Sequence, residues 1–392
     1  MPVNPELYFD WAATAIPDQD ILEAALKESL AAWANPSSVH AAGKEARAAL
    51  EKARSDCAAV LGVQAKQIFF TSGGTESDHI PLLAILNRPE KGNVAVSSIE
   101  HPALREMAEE LKKCGIEPRL IPADKNGFVT PEAVLQTVDE KTLFVSVMAV
   151  NNETGAVQPI QKIAAALEEK YKGKRKPRFH VDCVQALGKI PIDFLSEPGV
   201  DSAAFSAHKI CGPRGIGLLY LKKEEEIFLR GGGQEGGVRS GTENLFGAIA
   251  FGECLEKYAF VPGKENRRLE EQKEWTADFI KELLAIKGAG VIPESRGSLS
   301  QDSDSFSPWV IQASFKNIPG QVMLRALDAK GICVSTGSAC SSKKASRPIL
   351  EAMGVPAAQR ETSVRFSFGP ATTREGMKKL LDAVKEVCAA FN

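Results

Sequence analysis

The run "SAAFSAHKICGPRGIG" (202–217) brings Ser206, His208 and Lys209 to the end of an apolar stretch and then into a turn rich in glycine and proline. An ammonium group at the end of an apolar run is poorly hydrated. Lysine has a reference pKa near 10.4, so roughly 0.04% is neutral at pH 7, and a nucleophilic lysine must be desolvated or set near another cation. Shortly upstream, "FHVD" ends on Asp182, with Gln185 just beyond it. A buried carboxylate needs a partner. Two readings stand for Asp182: one half of an internal ion pair, or an anion held against a cationic ring nitrogen.

Other apolar runs end in comparable groups. After "QIFF" comes "TSGGTES" (71–77), where Gly74 and Thr75 open a helical segment. Free backbone N–H groups at a helix start suit a phosphate, although a Gly-Gly pair also serves simply to turn the chain. After "NVAVSSIE" comes His101, followed by Pro102 at a natural first helical position; this histidine is either structural or catalytic. After "TLFVSVMAV" comes "NNETG" (151–155), in which Asn151 and Asn152 read equally as turn formers and as ligands. An amine, an anion and a phosphate cradle are the three elements that pyridoxal 5′-phosphate requires of a protein. Each is ambiguous singly, and together they fit that cofactor.

The elements that must position these groups follow from periodicity. Residues 20–34 and 44–61 carry apolar side chains at helical spacing, with Asp20 as the expected N-cap of the first and Gly62 as the stop of the second. Beyond them, "QIFF", "NVAVSS", "TLFVSVMAV", "FHVD", "SAAFS" and "GIGLLYL" alternate with amphipathic segments, the pattern of a mostly parallel sheet with helical crossovers. In such sheets ligands settle at the carboxyl ends of the strands. A polar helix beginning near Lys264 separates this region from a C-terminal part, where "WVIQASF", "GICVS" and "VRFSF" read as strands and 319–329, 346–353 and 373–390 as helices. The expected architecture is α/β: a large domain (15–257) with a mostly parallel sheet, and a smaller α+β domain formed by 1–14 and 258–392.

Bulk properties exclude several classes. At 392 residues the chain can bury a large core, and a net charge of −2 argues against general attraction to nucleic acid or anionic membranes. No run reaches the roughly 18 apolar residues of a membrane span. The eight cysteines are scattered without a C-x-x-C pair, which speaks against a zinc site or disulfide framework and predicts a reducing, cytoplasmic location.

The chain resembles the cysteine desulfurases of the NifS/IscS type, fold-type I pyridoxal-phosphate enzymes of the class V aminotransferase family. The resemblance rests on "YFDWAAT" (8–14), "NPSSVH" (35–40), "FTSGGTES" (70–77), "VNNETG" (150–155), "HVDCVQ" (180–185), "FSAHKICGPRGIG" (205–217), "RSGTEN" (239–244), "STGSACSS" (335–342) and "VRFSFG" (364–369), in order along essentially the whole chain. It implies that Lys209 anchors the cofactor aldehyde, that His101 stacks on the ring and shuttles protons, that Asp182 pairs with the ring nitrogen and Gln185 with the phenolic oxygen. Gly74, Thr75, Ser206 and His208 would hold the phosphate, together with Thr242 from the second subunit of a homodimer. Asn152, also beside the cofactor, and Arg365 would hold the substrate carboxylate, a task that suits a guanidinium's two parallel N–H bonds.

By the same resemblance Cys340 would take sulfur from L-cysteine, leaving L-alanine and an enzyme persulfide. Small residues around Cys340, with Lys343 and Lys344 nearby, suit a mobile loop (about 335–345) that favours the thiolate; only about 3% would ionise at pH 7 at the reference pKa. A long loop of this kind implies transfer to an acceptor protein, such as an iron-sulfur scaffold or a tRNA-thiolation partner. No intrinsic metal is implied, although Cys340 could ligate a transient iron-sulfur cluster with a partner. A selenocysteine lyase or small-substrate aminotransferase of the same fold is the alternative.

Overall fold

The computed structural model describes residues 4–260, 266–298, 304–337 and 347–391. Cys340, Lys343 and Lys344 therefore lie outside the described residues.

The large sheet has 7 strands: β1 (Ile68–Thr71), β2 (Asn93–Ser97), β3 (Glu117–Ile121), β4 (Thr142–Ser146), β5 (Arg178–Asp182), β6 (Ser202–Ser206) and β7 (Gly217–Leu221), in the order β1-β7-β6-β5-β4-β2-β3. Neighbours are parallel throughout except that β7 runs antiparallel to both β1 and β6. Four of these strands, β2, β4, β6 and β7, are buried at every residue. Helices cover both faces of such a sheet, which is why the strands read as continuous apolar runs rather than alternating ones. A second sheet of 3 strands, β8 (Ala289–Ile292), β9 (Val310–Phe315) and β10 (Ser363–Ser367), is antiparallel in the order β10-β9-β8. It has its own apolar cluster around Phe279, Phe315, Phe366 and Val384, which also takes in Phe9 from the N-terminal segment.

Residues 331–335 ("GICVS") form no strand; Cys333 and Ser335 make single bridges to Tyr8 and Arg365. The third strand of the small sheet is instead β8. Strand β3, "EPRLI", was not anticipated: it is the polar, partly exposed edge of the large sheet and lacks the apolar run of its neighbours. The first helix spans Gln19–Ala31, and its N-cap is Asp18, which accepts from Ile21 N at 3.3 Å, rather than Asp20. The second helix, Ala41–Leu61, does end at Gly62, whose φ of 68° is the left-handed conformation that stops helices at little cost.

Register aligns the strand ends. Gly217 pairs with both Thr71 and Ser206, and Asp182 pairs with Ala204, so the carboxyl ends of β1, β5 and β6 share one edge of the sheet. Gly217 has to be glycine for this approach, since a Cβ there would meet Gly73 Cα at 2.6 Å.

Candidate functional site

The carboxyl edge opens into a cavity of about 240 Å³ lined by Gly74, Thr75, His101, Asn152, Asp182, Gln185, Ser206, His208, Lys209 and Arg365, with Ala12, Ala13, Asp78, Met148 and Val184. All the cofactor and substrate candidates named above, apart from Thr242 and Cys340, thus meet in one place. A larger cleft, about 790 Å³, walled by Val157, Ile190, Phe194, Phe260 and Pro308 among others, gathers neither the amine nor the buried carboxylate. Thr242 is exposed and does not line the smaller cavity.

Lys209 ends a single helical turn after β6, and its Nζ donates to the carbonyls of Ala12 at 2.8 Å and Ala13 at 2.7 Å. The N-terminal segment thereby forms one wall. Asp182, the last residue of β5, accepts from Val184 N at 2.9 Å. Burial, reinforced by the nearby Asp78 carboxylate, pushes its pKa up to about 7. Gln185 donates through Nε2 to Ala12 O at 2.9 Å, and its Oε1 accepts from Lys189 Nζ.

His101 is the N-cap of the helix Pro102–Glu110, with Nδ1 accepting from Ala103 N at 3.2 Å. That bond occupies the Nδ1 lone pair and leaves the ring proton on Nε2. Burial, then the cations Lys209 and Arg105, lower its pKa to about 4, so it is a neutral imidazole at neutral pH. His208 is likewise lowered to about 4 by burial and Lys209, and its Nδ1 meets Thr14 Oγ1 at 3.1 Å.

The helix Gly74–Leu83 starts at the cavity with Gly73 as its cap, and its first-turn N–H groups have no intrahelical acceptor. A Cβ on Gly74 would meet Val184 Cγ2 at 2.8 Å, so glycine keeps this wall open.

The two adjacent asparagines divide the alternatives between them. Asn151 Oδ1 accepts from Glu153 N, Thr154 N and Thr154 Oγ1, which builds the turn. Asn152 faces the cavity, and its buried Oδ1 has no hydrogen-bond partner among the described residues. Arg365, on β10 and 1% exposed, donates to Asn152 O at 2.9 Å and to Asp10 Oδ1 at 2.8 Å, while its Nε has no partner among the described residues.

Asp78 and Lys189 were not singled out from the sequence. Asp78 lies one turn beyond Gly74 on the same helix, and its Oδ1 meets His180 Nε2 at 3.1 Å; His180 Nδ1 in turn meets Ser202 Oγ at 2.8 Å. The helical spacing from Gly74 to Asp78 was the available signal.

These residues fit pyridoxal phosphate. An amine and a buried carboxylate face one cavity, a helix N-terminus with a glycine wall stands beside Ser206 and His208, and buried polar atoms of Asn152 and Arg365 have no partner among the described residues. Residues 7–380 match the family model described as aminotransferase class V. The cysteine desulfurase IscS of Dictyoglomus turgidum is 36% identical over 97% of this chain and 94% of its own length. A solved NifS-like protein is 33% identical, with a TM-score of 0.87 over 98% of this chain and 100% of that one. SspA, solved in complex with cysteine, is 27% identical, with a TM-score of 0.77 over 93% of this chain and 99% of its own. Enzymes of this family depend on pyridoxal 5′-phosphate. The chain belongs to the class V aminotransferase family, among the cysteine desulfurases of the NifS and IscS type.

Proposed function

We propose that the cavity between Lys209, Asp182 and Arg365 is where this chain performs pyridoxal-phosphate-dependent desulfuration of L-cysteine, with Cys340 as sulfur acceptor. The observation that carries this reading is the convergence of an amine, a buried carboxylate and a buried guanidinium on one cavity.

Bound there, the cofactor supplies an electron sink for bond changes at the substrate amino acid. Lys209, whose Nζ is held by the Ala12 and Ala13 carbonyls, would be the amine that anchors the cofactor aldehyde. Asp182 would pair with the ring nitrogen, whose positive charge would favour the ionised carboxylate. Gly74 and Thr75, with Ser206 and His208, hold the phosphate at the helix N-terminus. Arg365 and Asn152 hold the substrate carboxylate, and the Nε2 proton of His101 is the one positioned for transfer. The Cys340 thiolate attacks the substrate sulfur: the S–S bond forms as the C–S bond breaks, and the electron pair left on carbon takes up a proton to give L-alanine.

The same reading divides the chain into a large domain (15–257) and a small one (1–14 with 258–392), supported by the separate sheets and by Phe9 packing with the second cluster. It makes the enzyme a homodimer in which Thr242 reaches the partner's phosphate site; support comes from the exposure of Thr242 and from that of the large apolar side chains Phe228 and Leu229. Sulfur then passes to an acceptor such as an iron-sulfur scaffold, in the cytoplasm; among the described residues no helix is long and apolar enough to cross a membrane.

Borohydride reduction of the cofactor-loaded protein, followed by peptide mapping, tests the site. Cofactor mass on the peptide containing Lys209 is expected, and cofactor on any other lysine contradicts the assignment.

A further inference from the structure

Lys189 is 6% exposed, an unusual position for a lysine, and the groups facing it are mostly cationic or neutral. Burial, then Lys209 and Arg365, hold its pKa well below the usual lysine range; Cys211 acts the other way, and Tyr258 and Arg268 line the small space beside it. Its backbone is fixed from two sides, with Lys189 N donating to Ala186 O at 2.9 Å and Lys189 O accepting from Trp309 Nε1 at 2.8 Å. The preceding Gly188, at φ 69°, makes the turn that sends the side chain inward. Nζ donates to Gln185 Oε1.

A carboxamide has a donor end and an acceptor end of nearly equal size, and its surroundings decide which is presented. With Oε1 held by Lys189, Gln185 keeps Nε2 on the cavity side, where it shares Ala12 O with Lys209 Nζ. We propose that Lys189 is a positioning residue that locks the Gln185 carboxamide as a hydrogen-bond donor toward the cofactor's phenolic oxygen. The inference rests on reading this cavity as the cofactor site. A donor at that oxygen stabilises its negative charge and makes the neighbouring nitrogen, joined to Lys209, less basic. Without Lys189 the amide loses the bond that fixes Oε1, and only the Nε2 bond to Ala12 O opposes its turning over to present oxygen.

The test is the pH titration of the cofactor absorbance band in loaded wild type, Lys189→Met, Gln185→Ala and the double variant. Lys189→Met and Gln185→Ala are each expected to raise the midpoint by about one pH unit, and the double variant no further than either alone. An unmoved midpoint in Lys189→Met overturns the proposal. So does a shift that Lys189→Met repeats in the Gln185→Ala background, because a charge acting through space would not need Gln185. Lys189→Gln, which keeps N–H donors without an ammonium, is expected to restore the wild-type midpoint; a displaced midpoint there also overturns it. A wild type that acquires no band overturns the cofactor reading itself, whereas a normal wild-type band with unmoved variants overturns only this inference.

Discussion

Arg365 Nη2 holds Asp10 Oδ1 at 2.8 Å, joining β10 to the N-terminal segment across sequence positions far apart. The same guanidinium binds Asn152 O through Nη1, so both arms of its fork are engaged by the protein. With Arg365 proposed to bind the substrate carboxylate, that carboxylate would compete with Asp10 for the guanidinium. Asp10→Asn removes the competing charge while keeping an acceptor oxygen: the expected result is a several-fold lower KM for L-cysteine and a stability loss of about 1–3 kcal/mol. Arg365→Lys cannot make the two-pronged contact and is expected to raise KM instead. Steady-state kinetics on both variants check the pair; an unchanged KM in Arg365→Lys argues against its role.

Protonation of the buried site gives a pH signature. Asp182, at about 7 in the folded protein, retains a proton that an unfolded carboxyl loses near 3.9. Its contribution to stability therefore falls as pH rises from about 4 to 7 and is constant above that. Asp78 and Glu100, both raised by burial, act in the same direction. His101, His180 and His208, each lowered to about 4 chiefly by burial, act oppositely, their share being lost as pH falls from about 6.5 to 4. Asp182→Asn should raise the melting temperature of cofactor-free protein at pH 8, with the difference vanishing by pH 4. An equal difference at both pH values would mean that ionisation of Asp182 is not what costs stability.

Gly74→Ala places a methyl group against Val184 Cγ2, and overpacking of this kind costs about 1–3 kcal/mol. Because Gly74 begins the helix proposed to hold the phosphate, cofactor retention in dialysis should fall along with stability. Full retention would separate Gly74 from the phosphate site.

The dimer reading predicts complementation between subunits. Lys209→Ala and Thr242→Ala proteins, mixed and reassociated, should recover more activity than Thr242→Ala alone, since a hybrid pairs an intact Lys209 with an intact Thr242 at one site. No recovery after verified subunit exchange counts against Thr242 acting across the interface.

The strand ends were legible because β2, β4, β6 and β7 are buried on both faces, which forces continuous apolar runs whose termini can be read directly. Edge strand β3 is half polar and contains Pro118, so no such run marks it. "GICVS" misled because its apolar residues pack as a strap bridged to Tyr8 on one side and Arg365 on the other, without a continuous ladder. Within the site, Lys209, Asp182 and His101 follow strands and were visible by position. Asp78 and Lys189 were not, because their significance comes from His180 and Gln185 reaching them in three dimensions.

The central claim is that L-cysteine gives up its sulfur to this chain's own thiol. Mass spectrometry of the cofactor-loaded protein after brief exposure to L-cysteine, under non-reducing conditions, should find one added sulfur on the peptide containing Cys340. The Cys340→Ala protein should keep the cofactor band and show no added sulfur. Alanine production at the wild-type rate by Cys340→Ala, or added sulfur only on another cysteine, would contradict the account.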